Sequence, residues 1–353
     1  MIRLTWLQFR PQAVTAAAAL AAFAILLAAT GPHLASLYAT SGIRGCQPAS
    51  CEHLASNFLQ QLYTAGTYWV LYLLGVVIIL LAPAVIGLFW GAPLVARELE
   101  TGTSTLAWNQ SITRTRWLAV KLALTGLAAM AVTEGLSLMQ AWWAAPIGRA
   151  VGHGGGGTNL AMGRFSSLVF VTHGITPLGY AAFGFALGVT AGALIRRTVP
   201  AMAVTLAVFA VVQIAMPLWI RPNLFPARHT VIPVTSLENI SLQQGGLNGS
   251  SFNLGTGDLP GQPGAWLLSS GAVNATGQPT STTPAACTTQ PDNPPGFLDC
   301  LGSHGIRESV SYQPASRYWA FQWTETAIYL ILALALAGCC FRRLVPHRAG
   351  VRQ

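Results

Sequence analysis

The sequence predicts an all-α membrane protein of six transmembrane helices, with a large irregular extracytoplasmic loop domain between spans five and six. Three observations predict it. Of 353 residues, 52% are hydrophobic and only 8% are charged, whereas a soluble protein carries roughly a quarter charged residues because its surface must face water. Six stretches reach the ~20 mostly apolar residues that a helix rising ~1.5 Å per residue needs to cross a ~30 Å hydrocarbon core. The basic residues then sort by side between those stretches. Such a composition excludes a disordered chain, a coiled coil and a cytosolic enzyme.

The spans are expected at about 13–30, 69–92, 118–145, 165–195, 199–219 and 318–341. Arg3 and Arg10 precede the first. It is as long as a minimal span and reaches Gly31-Pro32 without a clean small-x-small site, so it reads as a retained helix rather than a cleaved signal. Ahead of it, Ile2, Trp6 and Phe9 share one face of a short helix that Pro11 separates from the span. That segment reads either as an interfacial anchor on membrane lipids or as a charged flank that orients the chain.

With the amino terminus inside, twelve of the nineteen basic residues fall on one side: Arg3, Arg10, Arg97, Arg114, Arg116, Lys121, Arg196, Arg197, Arg342, Arg343, Arg348 and Arg352. Both termini are therefore expected in the cytoplasm, and the net charge of +9 is explained without nucleic acid. The chain divides into a membrane domain at 1–219, an extracytoplasmic loop domain at 220–317, and a last span with its tail at 318–353. Cysteine placement agrees with this topology. Cys46 and Cys51 share the first outside loop, and Cys287 and Cys300 share the last, so each loop holds an even pair in the compartment where disulfides persist. A 287–300 bridge closes a short loop worth about 3 kcal/mol in the chain-entropy model. Cys339 and Cys340 sit at the inner end of span six and are expected to stay reduced.

Residues 220–317 are dense in Gly, Pro, Ser, Thr, Asn and Gln. Their apolar clusters, Val231-Ile232-Pro233-Val234 and Trp266-Leu267-Leu268, are too sparse to promise an independent core. An irregular, β-biased domain leaning on the membrane portion or on a second copy is expected.

The segment between spans two and three is different in kind. Arg97-Glu98-Leu99-Glu100-Thr101-Gly102-Thr103 is followed by Leu106, then Ser111-Ile112-Thr113-Arg114-Thr115-Arg116-Trp117, and finally Lys121. Glu98 and Glu100 add nothing to positive-inside orientation, so the loop at 97–117 reads as a short helix broken at Gly102 that offers charge to a cytosolic protein, with Trp108 and Trp117 at the headgroups. This order resembles the permeases of ABC-2 type transporters, whose corresponding loop runs roughly R-E-x-E-x-G-T, a leucine run, a small-polar turn with S/T-R, and a lysine opening the next helix. Trp108-Asn109-Gln110 departs from that pattern, replacing the usual proline-containing turn, and the last outside loop is longer than usual. The resemblance implies that Arg97, Glu98, Glu100, Gly102, Thr103, Arg114, Arg116 and Lys121 couple the chain to a separate ABC ATPase subunit. It also implies a permease homodimer or heterodimer in a bacterial plasma membrane. ATP and Mg would be bound by the partner, since the only lysine, Lys121, lies in no G-x-x-x-x-G-K-[ST] run.

Glu134 falls in the middle of span three, where a carboxylate costs about 2.5–3.5 kcal/mol on insertion scales. Gln140, His173 and Gln213 are candidate partners, whereas Glu325 is expected to reach the interface from the outer end of span six. The four mark either a polar spot along a substrate path or, the favoured reading for Glu134, a helix-to-helix hydrogen bond. Gly184 and Gly188 form a G-x-x-x-G face for packing or dimerisation. Ser137 with His173 is the best enzyme constellation, but no G-x-S-x-G run accompanies it. The histidines include no close pair, so no metal site is expected. The sequence thus points to a non-catalytic permease subunit of an ATP-driven exporter. The alternative is a non-transporting sensor or scaffold that displays 220–317 outside, and a secondary transporter ranks third because the spans show no repeat.

Overall fold

The computed structural model describes residues 2–100, 114–155, 163–234, 240–245, 251–256, 259, 262, 264–287 and 294–344. Its helices are α1 (Ile2–Thr40), α2 (Pro48–Thr64), α3 (Thr67–Ile86), α4 (Ala92–Glu100), α5 (Arg114–Gly152), α6 (Ser167–Thr172), α7 (Thr176–Ile195), α8 (Thr198–Ala215), α9 (Pro294–Ser303) and α10 (Tyr318–Leu344). Among the described residues, six helical segments are long and apolar enough to cross a membrane: Phe9–Thr40, Thr67–Glu100, Thr115–Gly152, Thr176–Ile195, Thr198–Asn223 and Ala315–Leu344. Their outward faces leave Val70, Leu127, Val211 and Leu334 well exposed, a surface that lipid tolerates and water does not.

The chain divides into two units, Met1–Met162 with Ser167–Arg221 and Ala320–Gln353, and Gly163–Ser166 with Pro222–Trp319. In the first, three expectations are corrected. Pro11 does not separate an amino-terminal helix, because α1 runs unbroken through Pro11 and Pro32. Phe9 is buried edge-on against Trp90, 5.0 Å between ring centres, rather than presenting its ring outward to lipid. The stretch 165–195 is not one span: it breaks at His173–Ile175 around Gly174, whose φ of 76° suits glycine. Helix α2 was not anticipated at all. It packs Phe58, Leu59 and Leu62 into a core with Leu27, Leu34, Tyr72 and Trp143.

Helix α7 is the centre of this unit, buried over nearly its whole length. Glycines let it sit backbone to backbone against the preceding elements. Pro83 interrupts the hydrogen bonding of α3, which widens into a π turn at Gly87–Gly91 before α4. A methyl group on Gly184 would stand 2.6 Å from the Pro83 carbonyl, and one on Gly91 2.6 Å from that of Phe185. Both are closer than any carbon tolerates. The Gly184/Gly188 face is therefore consumed within the chain, and its expected use between copies is corrected.

The second unit is more ordered than its composition promised. Strands β1 (Arg228–Pro233), β5 (Arg307–Gln313) and β4 (Trp266–Val273) form an antiparallel sheet in the order β1-β5-β4, and β2 (Ile240–Gly245) pairs with β3 (Ser251–Thr256). A core of Val234, Phe252, Leu254, Phe297, Leu301 and Ile306 gathers around Cys287. Cys287–Cys300 and, in the first unit, Cys46–Cys51 are disulfides, while Cys339 and Cys340 are free, as the sequence predicted.

Candidate functional site

The acidic pair at the end of α4 and the lysine of α5 come together. Glu98 makes an ion pair with Lys121, which is 2% exposed. Two residues on, Glu100 Oε2 accepts from the Thr198 amide at 3.3 Å and the Thr198 hydroxyl at 2.8 Å, so a carboxylate sits at the first turn of α8, where free amides and the helix dipole favour negative charge. The two carboxylates thus tie the end of α4 to two other helices, α5 and α8. The charge of Glu98, expected to be offered outward, instead faces Lys121. Trp117 is likewise not at the headgroups: it is buried among Phe9, Trp90 and Val95, with Lys121 Nζ 4.8 Å from its ring centre. Arg97 and Arg116 are exposed at the same end. Gly102 and Thr103, with Leu106, Trp108, Ser111 and Thr113, lie outside the described residues, as does the side chain of Arg114.

Among the described residues, no hydrogen bond joins the four path candidates to one another. Gln140 is fully buried and donates to the Tyr72 carbonyl at 3.4 Å, its amide set directly against Gly75. Gln213 accepts from the Tyr329 hydroxyl at 3.0 Å. His173 lies at the break before α7, with Nδ1 3.1 Å from the Val169 carbonyl of its own turn. Ser137 donates to the Thr172 carbonyl at 2.9 Å, and among the described residues no hydrogen bond joins it to His173. Glu134 is only partly buried, and its buried Oε2 has no hydrogen-bond partner among the described residues. Among the described residues, the helix-to-helix bond expected for it is not made.

The polar centre of the bundle lies elsewhere. Arg221, assigned by sequence to an outside loop, and Glu325, expected at an interface, are both fully buried. The π turn Met216–Ile220 and the 3-10 turn Arg221–Asn223 extend α8 so that Arg221 points inward. Its Nε donates to Glu325 Oε2 at 2.8 Å and its Nη2 to Oε1 at 2.9 Å, a fork on a carboxylate. The Tyr180 hydroxyl also donates to Glu325, and the guanidinium stacks 4.0 Å over the Phe170 ring. Beside this network, one side chain repairs the break in span four. Gln322 Oε1 accepts from the amides of Ile175 at 3.0 Å and Thr176 at 3.2 Å, while Nε2 donates to the carbonyls of Phe170 at 3.2 Å and His173 at 3.1 Å. Broken helices survive in a membrane only where such partners replace the lost ladder. The signal was present in the sequence: Gln322, Glu325, Thr326 and Tyr329 recur at helical spacing on one face of an otherwise apolar span.

These contacts describe a membrane bundle whose charged loop end and buried polar face both hang on α7 and its neighbours. The family model described as ABC-2 membrane transporter related matches residues 17–221 of the chain. The protein belongs to that family. Comparison with curated proteins and with solved structures returned no match. The ABC-2 match begins within the first span, takes in the loop end and stops at Arg221 within the fifth, so Pro222–Trp319 and α10 lie beyond it. The chain is thus a multi-pass membrane protein of a transporter permease family.

Proposed function

We propose that this chain is the membrane subunit of an ATP-driven exporter, coupled through the loop at 97–117 to a separate ATPase subunit that binds ATP and Mg. The observation that carries the reading is the pair of carboxylates at the end of α4. Because Glu98 holds α5 and Glu100 holds the start of α8, a push on the loop between α4 and α5 moves three helices as one body. Rigid-body motion of that kind is how ABC subunits would turn nucleotide-driven closure into reorientation of a path. Arg97 and Arg116, with Gly102, Thr103 and Arg114, are assigned to the contact with the ATPase, and Glu98, Glu100 and Lys121 to transmission behind it. Both termini and the loop lie in the cytoplasm, and Pro222–Trp319 lies outside, in keeping with the distribution of arginine and with the two disulfides. Two copies, identical or paired with a related permease, enclose the path.

Glu134 is assigned to the face between those copies. A partly exposed carboxyl is costly against lipid, and a second permease relieves that cost. Gln140, His173 and Gln213 are assigned to holding the helices around it.

Copurification tests the coupling. The chain is expressed with a candidate phosphate-loop ATPase from the same genome, and the Arg97→Glu/Arg116→Glu variant is compared with Glu98→Gln. The arginine variant is expected to lose the ATPase from the purified complex, whereas Glu98→Gln retains it but loses substrate-stimulated ATP hydrolysis in liposomes. Unchanged copurification and hydrolysis in both variants would overturn the assignment. Failure of the wild-type chain to retain any ATPase would favour the scaffold reading.

A further inference from the structure

The second unit holds a cluster to which the coupling proposal assigns no role. Cys287, Cys300 and His304 place their ligand atoms within 4.8 Å of one another. Cys300 lies on α9, and the His304 amide donates to the Cys300 carbonyl at 3.2 Å, so the helical turn continues far enough to bring the i+4 ring beside the sulfur. His304 Nδ1 is 3.9 Å from Cys287 Sγ and 4.0 Å from Cys300 Sγ, nearly equidistant from both. In a tetrahedral site with metal–sulfur bonds of ~2.3 Å and metal–nitrogen bonds of ~2.05 Å, that separation is about 3.6 Å. The ring thus stands within a few tenths of an ångström of a coordinating position. Cys287 is fully buried in the unit's core, while His304 is exposed and leaves a way in.

We propose that, once the Cys287–Cys300 disulfide is reduced, Cys287, Cys300 and His304 bind a thiophilic d10 cation, of which Zn2+ is the test case. A dithiol donor supplies two electrons and two protons, its own sulfurs becoming a disulfide as the Cys287–Cys300 bond opens to two thiols. Cation binding then releases two protons to solvent as the thiols become thiolates. His304 binds as the neutral ring through Nδ1, with its proton on Nε2. In the oxidised form Nδ1 donates to the Cys300 carbonyl at 2.9 Å, so loading exchanges that hydrogen bond for a coordinate bond. Rotation about the two Cα–Cβ bonds carries the sulfurs apart to the ~3.8 Å of a tetrahedral pair. Soft thiolates select Zn2+ or Cu+ over hard cations. The disulfide and the cation are then alternative clips between the 3-10 turn Ala285–Cys287 and α9. Scanning the sequence for histidine pairs misses the site because one histidine and two distant cysteines make it. The same residue types meet in the first unit, where Cys46, Cys51 and His153 also lie within 4.8 Å.

Zinc and cobalt titrations of the full chain in detergent test the site, in a His153→Ala background that weakens the second cluster. After reduction and anaerobic removal of the reductant, one cation bound with a thiolate-to-cobalt absorption band is expected, and none in the unreduced protein. His304→Ala is expected to lower zinc affinity by more than the roughly 10–100-fold that loss of an outer-shell partner costs. Binding that is absent from the reduced parent, equal in His304→Ala, or equal in the oxidised protein would overturn the assignment.

Discussion

Replacing Gln322 by alanine removes the side chain that makes the break before α7 tolerable. The four hydrogen bonds named above are not equivalent. The Phe170 carbonyl keeps a second donor, the Thr176 hydroxyl at 3.0 Å, so losing Nε2 leaves it partnered. The amides of Ile175 and Thr176 have no other acceptor among the described residues. Each orphaned buried donor costs about 1–3 kcal/mol, which for two gives about 2–6 kcal/mol. Membrane hydrogen bonds average nearer 0.6 kcal/mol, so four of them set a floor of about 2.4 kcal/mol. The assay is unfolding by sodium dodecyl sulfate in mixed micelles, followed by tryptophan fluorescence. Gln213→Leu is the internal standard: it breaks the single bond from Tyr329, orphaning one donor rather than two, and should cost about 0.6–3 kcal/mol on the same two scales. If Gln322→Ala shifts the unfolding free energy by no more than Gln213→Leu does, the bridging role is refuted.

Arg221→Met leaves Glu325 buried without its counter-charge and should destabilise the chain by about 3–5 kcal/mol, while Arg221→Met combined with Glu325→Leu should recover most of that loss in the same unfolding assay. Gly184→Leu forces a side chain onto the Pro83 carbonyl and should abolish accumulation of folded protein in membranes. Gly148→Ala meets nothing within 4 Å, and in a helix interior it should raise stability by about 0.5–1 kcal/mol. Alkylation of denatured protein without reductant should label two of the six cysteines, Cys339 and Cys340, and prior reduction should expose all six.

Six spans, two disulfides and the family-bearing loop were determined by the sequence alone, because each depends on local composition. An apolar run of helical length has no other comfortable solvent than lipid, and cysteines paired within one loop need little chain to meet. What only the tertiary structure decided concerns partners distant along the chain. Arg221 sits in a polar stretch and Glu325 near a span end, so each looked solvated until the turn after α8 carried one inward onto the other. Glu98 and Glu100 looked like charges offered to another protein, yet Lys121 and Thr198 take them up. Gly184 and Gly188 looked free to join two copies, and the close approach of Pro83 and Gly87 uses them first. Conversely Glu134, expected to bond across helices, has no partner among the described residues. In each case the energy lies in desolvation and pairing between helices, which hydropathy along one helix does not encode.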